Sequence, residues 1–171
     1  MEGKARRNKI MELLKESREP ISGADLATQL GVTRQVIVQD IALIRAKNSN
    51  IISTSRGYLL YEEMQKKPRK IFPVKHNSES ITDELYTIVD LGGTVQDVIV
   101  EHPIYGEITV NLILKSRKDV KDFVNLLSSY QTVPLMHLTG GEHYHTVEAD
   151  NEDILLEIED ELLKKGYLIK T

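Results

Sequence analysis

Apolar residues in the first 45 positions recur at intervals of three and four, the spacing of one face of an α-helix. A first helix is predicted from Lys4 to Ser17. A second helix is predicted to begin after Ser22 and a third after Thr33, because serine and threonine are favoured N-caps. The residues predicted to face the core are Ile10, Leu13 and Leu14, then Ala24, Leu26, Ala27 and Leu30, then Ile37, Ile41 and Ile44.

The second and third of these helices have the pattern of a helix-turn-helix. Gly31 supplies the turn between them, since glycine adopts a positive φ at little cost. The phase of the third helix leaves its first turns polar and outward-facing, where a recognition helix meets base edges. The residues predicted to contact DNA are Thr33, Arg34, Gln35, Val38 and Gln39. The alternative is an ordinary helical hairpin in which Arg34 and Gln35 are only solvated.

A hairpin follows the three helices. The run IISTSRGYLLY predicts two short strands around a Ser55-Arg56-Gly57 turn, which completes a winged helix-turn-helix. Arg56 at the tip would contact phosphate or the minor groove, or would simply be exposed. Basic residues at the start of the first helix are further candidates for phosphate contact: Lys4, Arg6, Arg7 and Lys9.

Beyond position 70 helical segments mix with alternating or continuously apolar ones. Helices are predicted at 80–91, 118–130 and 152–165, and strands at 95–100, 108–114, 133–138 and 143–148. A short strand at 167–169 would close the sheet. This helix-strand-strand rhythm, used twice, predicts an α+β fold whose second part is a small α/β sandwich with helices on one face of the sheet.

Charge divides the chain at the same place. Residues 1–70 carry 14 Lys and Arg against 8 Asp and Glu, whereas the rest carries 8 against 18. A basic half attracts DNA phosphates, and an acidic half stays off the duplex. The polar run Glu62 to Arg69 has the composition of a linker. We therefore predict a DNA-binding domain at 1–65 and a regulatory domain at 66–171.

Composition excludes several classes of protein. The 171 residues include no cysteine, so the chain can form neither a disulfide framework nor a thiolate metal site. No apolar run approaches the roughly 20 residues that span a bilayer. The first residues lead straight into an amphipathic helix instead of a secretory signal, which favours a cytoplasmic protein.

All histidines lie beyond the linker, at His76, His102, His137, His143 and His145. In a strand, His143 and His145 project from the same face, about 7 Å apart at their Cα atoms. Two adjacent imidazoles suit zinc, nickel, copper or iron, and His76 and Glu84 are available as further ligands. The alternative is a polar strand that happens to carry two histidines.

The winged helix-turn-helix is followed by KHNSESITDEL, VEHPIYGE and LTGGEHYHTVEA, in that order. This arrangement resembles the niacin-responsive transcriptional repressors of Gram-positive and related bacteria, whose C-terminal part is the three-histidine (3H) regulatory domain. The resemblance covers nearly the whole chain. It implies a repressor of NAD-synthesis and niacin-uptake genes that acts when nicotinic acid is abundant. It also implies one divalent transition metal (nickel, zinc or iron) held by His76, Glu84, His143 and His145.

Nicotinic acid would bind such a metal through its pyridine nitrogen, a donor much like imidazole. Its carboxylate would need N–H or hydroxyl donors, for which the candidates are His102, Tyr105, Thr139, Gly140 and Gly141. His102 alternatively braces its own turn. His137 alternates with apolar residues and is expected to be a core or pocket-wall residue.

There are three alternatives to a niacin-responsive repressor. They are a regulator that responds to a metal or another small molecule, a DNA-binding adaptor that responds to a protein partner, and a metal-dependent enzyme domain fused to a DNA-binding domain. The sequence contains no H-E-x-x-H, nucleophile elbow or phosphate loop, so an enzyme is not favoured. A homodimer on operator DNA is expected, because one helix-turn-helix reads only a short half-site.

Overall fold

The computed structural model describes residues 1–47, 50–61 and 66–170. The chain divides into two compact units, Met1–Met64 and Gln65–Thr171. No helix in the described ranges is long and apolar enough to cross a membrane.

The first unit contains three helices and a hairpin. The helices are α1 (Gly3–Glu16), α2 (Gly23–Leu30) and α3 (Arg34–Arg45), and the antiparallel strands are β1 (Ile51–Thr54) and β2 (Gly57–Leu60). Ser22 and Thr33 cap α2 and α3 by accepting from Asp25 N and Val36 N. Gly31 ends α2 with a φ of 64°. The predicted winged helix-turn-helix is therefore confirmed.

The core of this unit follows the predicted spacing, with one exception. Ile37, Ile41 and Ile44 are buried and pack in one apolar cluster with Ile10 and Leu14 of α1. Leu26 and Ala27 belong to the same cluster. Ala24, which was also predicted to face the core, is exposed. The short helix α2 thus buries a narrower face than its sequence indicated.

Asp40 is a buried acidic residue on α3, with 2% of its surface exposed. Its carboxylate accepts from Arg6 Nε at 2.5 Å and from Arg7 Nη1 at 3.2 Å. These bonds fasten α1 to α3 beside the apolar cluster. Arg6 and Arg7 were expected to contact phosphate, but the structure uses both to neutralise Asp40.

We expect Asp40→Ala to lower the free energy of unfolding by about 1.5–3 kcal/mol, because hydrogen bonds to a buried charged group are lost. Urea denaturation of the full chain measures the change. The control is Glu12→Ala, which removes an exposed ion pair with Lys9 and should cost much less. Equal losses in the two variants would contradict the assigned role of Asp40.

The second unit is built on a four-stranded antiparallel sheet of order β3-β6-β4-β5. Its elements in chain order are β3 (Arg69–Lys75), a first 3-10 helix (Ser78–Ser80), α4 (Ile81–Asp90), β4 (Thr94–His102), β5 (Gly106–Leu114), α5 (Arg117–Ser129), a second 3-10 helix (Leu135–Thr139), β6 (Glu142–Glu148) and α6 (Glu152–Lys164). Beyond α6, Leu168 forms an isolated antiparallel bridge with Val74 of β3.

Alternate residues of the strands and the apolar faces of the three helices form one core. Phe72 and Val74 of β3 and Val147 of β6 are buried in it with Leu85 of α4 and Ile158 of α6. On β6, His143 and His145 occupy the alternate positions that precede Val147, and both are also buried. The sheet therefore turns the two histidines toward its packed side.

The predicted strands of this unit differ from the observed ones at three places. The short strand expected at 167–169 is an isolated bridge of Leu168. The strand expected at 133–138 is instead a 3-10 helix, Leu135–Thr139, which starts after Pro134 and ends at Gly140 with a φ of 62°. Pro134 has no N–H with which to join a sheet ladder. The strand Arg69–Lys75 was not predicted, and its first residue was assigned to the linker. The helix-strand-strand rhythm consequently occurs once, and its second half has a single strand.

Candidate functional site

Three strand-linked histidines and one helical glutamate meet inside the second unit. Register places Val74 opposite His143 and Phe72 opposite His145. His76 follows the end of β3 and therefore lies beside the start of β6. Glu84 belongs to the first turn of α4, which packs on this side of the sheet.

Glu84 is the centre of the cluster. Its Oε1 lies 3.0 Å from His145 Nε2, and its Oε2 lies 3.5 Å from His143 Nε2. His76 Nε2 contacts the same Oε2. All four side chains are at least 96% buried, with Glu84 only 1% exposed. A carboxylate and three imidazole nitrogens thus converge on one small, largely buried volume.

The other nitrogen of each imidazole is held by a backbone carbonyl. His76 Nδ1 lies 2.8 Å from Asn77 O, and His143 Nδ1 lies 2.9 Å from Gly141 O. His145 Nδ1 lies 2.7 Å from Asp97 O. A carbonyl only accepts, so each Nδ1 carries a proton, and each ring turns its Nε2 toward Glu84; in the neutral ring that Nε2 has a lone pair that can bind a metal.

Imidazole lone pairs and a carboxylate charge repel one another when they face each other in a buried site. Such a site therefore needs either a metal cation or additional protons between these groups. Glu84 Oε1 has no hydrogen bond of acceptable geometry within the described residues, despite the 3.0 Å contact with His145. Burial alone would raise the pKa of Glu84, but the surrounding imidazoles hold that pKa well below its ordinary value. Burial lowers the pKa of His143, which favours its neutral, ligating form. For His76 and His145 burial also lowers the pKa, but the Glu84 carboxylate outweighs it and raises the pKa of both rings.

The spacing of the donor atoms fits a metal ion. Ligand atoms about 2.1 Å from one ion lie about 3.0–3.4 Å apart in octahedral or tetrahedral coordination. Two of the contacts around Glu84, at 3.0 and 3.5 Å, are close to this spacing, whereas His76 Nε2 lies closer to Oε2 than two ligands of one ion do. The donor atoms of His76, Glu84 and His143 lie within 4.8 Å of one another, and His145 approaches the second carboxylate oxygen. Neighbouring Asp83 instead bonds Lys165 and Tyr167.

A cavity of about 580 Å³ adjoins the cluster, with His76 in its wall. Gly140 and Gly141, both predicted to contact a ligand, also line it. His137 lines the cavity, as expected of a pocket-wall residue, although it belongs to a 3-10 helix. Met136 also lines the cavity, as do Lys75, Asn77 and Ser78, which were not predicted to contact a ligand. The signal for these last three residues was their position in the same KHNSES run as His76.

The other three predicted ligand contacts do not line this cavity. His102 Nδ1 accepts from the backbone N–H groups of Ile104 and Tyr105, so it braces its own turn. Tyr105 packs against that ring and is 78% exposed. The Thr139 hydroxyl lies within hydrogen-bonding distance of the Met136 and Glu142 carbonyls. The ligand contacts predicted for His102, Tyr105 and Thr139 therefore have no support from this cavity.

The first unit presents the polar face expected of a recognition helix. Arg34, Gln35, Val38 and Gln39 are exposed, on the side of α3 opposite its buried isoleucines. Thr33 is exposed as well, and its hydroxyl caps the helix. Arg56 was predicted either to contact phosphate or the minor groove or to be simply exposed. Its side chain is not simply exposed: it is 8% exposed and its Nη1 lies 3.4 Å from Glu19 Oε2.

A winged helix-turn-helix joined to an α+β unit with a buried polar centre is the architecture of a two-domain, DNA-binding transcription regulator. Two family models match the chain, an HTH domain at residues 6–59 and a 3H domain at residues 69–171. The chain is similar to the probable transcription repressor NiaR of Thermotoga maritima, with 48% identity over 94% of this chain and 91% of the relative. It is also 40% identical to the transcription repressor NadR of Bacillus subtilis, over 98% of this chain and 95% of the relative.

The chain therefore belongs to the NiaR-type transcription repressors that carry a 3H domain. It is a DNA-binding regulator and not an enzyme.

Proposed function

We propose that this repressor senses nicotinic acid through one divalent transition metal held by His76, Glu84, His143 and His145. The observation that carries the proposal is the convergence of three imidazole Nε2 atoms on a buried carboxylate. Nickel, zinc and iron all accept imidazole and carboxylate ligands. When bound, the metal supplies a Lewis-acidic position for a nitrogen ligand.

The cavity beside His76 offers the remaining recognition groups. Its wall contains the Gly140 and Gly141 backbone and the side chains of Asn77 and Ser78, which provide N–H and hydroxyl donors for a carboxylate. Lys75 adds a positive charge at the same cavity. Nicotinic acid combines a carboxylate with a nitrogen donor, so it matches both parts of the site, and the family resemblance selects it among such compounds.

Nicotinic acid is expected to act as a corepressor that strengthens operator binding. An effector shifts the DNA-binding equilibrium only by its difference in affinity for the two states, typically about 1–3 kcal/mol. The direct test is operator affinity of the full chain with nicotinic acid, with nicotinamide, and after treatment with a chelator. An operator affinity that nicotinic acid leaves unchanged in the metal-loaded protein would overturn the proposal.

We propose that the exposed first turns of α3 recognise the DNA bases, with Arg34 and Gln35 in the major groove. We expect Arg34→Ala to weaken operator binding by about 1–3 kcal/mol and to relax specificity at particular base pairs. Fluorescence anisotropy with operator variants measures both effects. Arg18→Ala, at an exposed arginine outside α3, is the control. If Arg34→Ala kept the base-pair specificity of the wild type, this face of α3 would not be the one that recognises bases.

We further propose a homodimer, joined mainly by the acidic second unit, that binds a pseudo-palindromic operator. One recognition helix contacts too few base pairs for selective binding in a genome. Light scattering of the operator complex should give the mass of two chains per site, and a single chain per site would exclude this assembly.

A further inference from the structure

We propose that Asp97 is the positioning residue of the metal centre: it fixes His145 from outside the ligand set and thereby controls metal affinity. This inference rests on the proposed metal site. Asp97 lies on β4, next to β6 in the sheet, and is 48 positions from His145 in sequence. Asp97 is outside the group of donor atoms that converge on Glu84, and its carbonyl and Oδ1 contact β6 instead.

Asp97 makes two contacts with consecutive residues of β6. Its backbone carbonyl accepts the Nδ1–H of His145 at 2.7 Å. Its Oδ1 accepts the backbone N–H of Thr146 at 2.9 Å. One residue therefore holds both the imidazole and the strand immediately beside it.

The sheet is irregular at this point. The β4–β6 pairing shifts register between Val95 and Ile99, and the β4–β5 pairing shifts between Val95 and Asp97. On the facing strand, Ile113 has a φ of 54°, an unusual value for a β-branched residue. Bulges of this kind re-aim groups next to functional sites. Here the irregularity directs the Asp97 carbonyl to the His145 side chain.

The side chain of Asp97 supplies the hydrogen-bond acceptor that β6 lacks because the Asp97 carbonyl is bonded to the His145 side chain. With the carbonyl committed to an imidazole, the N–H of Thr146 is satisfied by the Asp97 carboxylate. A half-buried N–H without a partner would be costly, so the strand would shift to find one. Such a shift would move His145, whose Nε2 lies 3.0 Å from Glu84 Oε1. The Asp97 carboxylate therefore keeps the Asp97 carbonyl hydrogen-bonded to His145.

The proposal predicts different effects for two substitutions at the same position. Asp97→Ala removes the acceptor for Thr146 N–H and should weaken Co²⁺ binding about 10–100-fold, as is typical for groups that orient metal ligands. Asp97→Asn keeps an oxygen acceptor and should remain within about threefold of the wild type. Glu101→Ala, at an exposed position of the same strand, is the surface control.

Two measurements on the full chain test the proposal. Titration with Co²⁺ gives the affinity, and the visible absorption of the saturated complex reports the ligand set, which a loss of sheet stability alone would not alter. The inference is supported if Asp97→Ala binds Co²⁺ more weakly and with a changed visible spectrum, while Asp97→Asn keeps the affinity and spectrum of the wild type. Wild-type affinity and spectrum in Asp97→Ala would overturn it while leaving the metal site intact. Failure of the wild type to bind Co²⁺ would overturn the proposed metal site and this inference with it.

Discussion

Replacing both His143 and His145 by alanine is expected to abolish the response to nicotinic acid and to leave basal operator binding intact. The two imidazoles supply two of the three nitrogen donors around Glu84. Without them, His76 and Glu84 alone would not retain a transition metal against a chelator. The lost coupling should correspond to about 5–150-fold in operator affinity at saturating nicotinic acid.

The measurement is a pair of operator titrations, with and without nicotinic acid, together with elemental analysis of the purified protein. His102→Ala is the matched control, because it removes an imidazole of the same sheet that contacts only its own turn. Glu84→Gln provides an independent variant that keeps all three histidines. An equal response to nicotinic acid in the wild type and the double variant would show that the sensor lies elsewhere.

The first unit was predictable because its determinants are local. The caps Ser22 and Thr33, the positive φ of Gly31 and the three-four spacing of isoleucines all act within one or two turns of the chain. The partners of charged residues, in contrast, are not determined by the local sequence. Arg6 bonds Asp40, which is 34 positions away, and Arg56 approaches Glu19, which is 37 positions away. Sequence alone marks these arginines as cations without showing that acidic groups already hold them.

The candidate metal site was partly predictable for the same reason. The strand period places His143 and His145 on one face, so the H-x-H pair is visible in sequence. His76 and Glu84 were available as further ligands in the sequence, and the family resemblance assigned them to the metal. Their approach to the pair depends on the unpredicted strand β3 and on packing of α4. The role of Asp97 depends on an irregular pairing that no local pattern indicates.

Replacing Gly141 by alanine should weaken metal binding although Gly141 contributes no ligand. Its φ is 94°, and a Cβ added there would lie 2.6 Å from the backbone carbonyl oxygen of His76. A backbone atom cannot rotate away as a flexible side chain can, so His76 or the β6 start must move. Gly141 also accepts the Nδ1–H of His143 through its carbonyl oxygen. Gly141→Ala would therefore disturb two of the proposed ligands at once.

Gly140 is an internal control for this prediction, because its φ is 62° and a Cβ there would meet nothing within 4 Å. Both alanine variants carry the strain of a positive φ, about 1–2 kcal/mol. Only Gly141→Ala carries the clash with His76 as well. We expect Gly141→Ala to bind Co²⁺ at least about tenfold more weakly than Gly140→Ala, as for other changes that misorient ligands. Equal affinities would mean that the His76 segment adapts freely, and that close packing at Gly141 does not position the site.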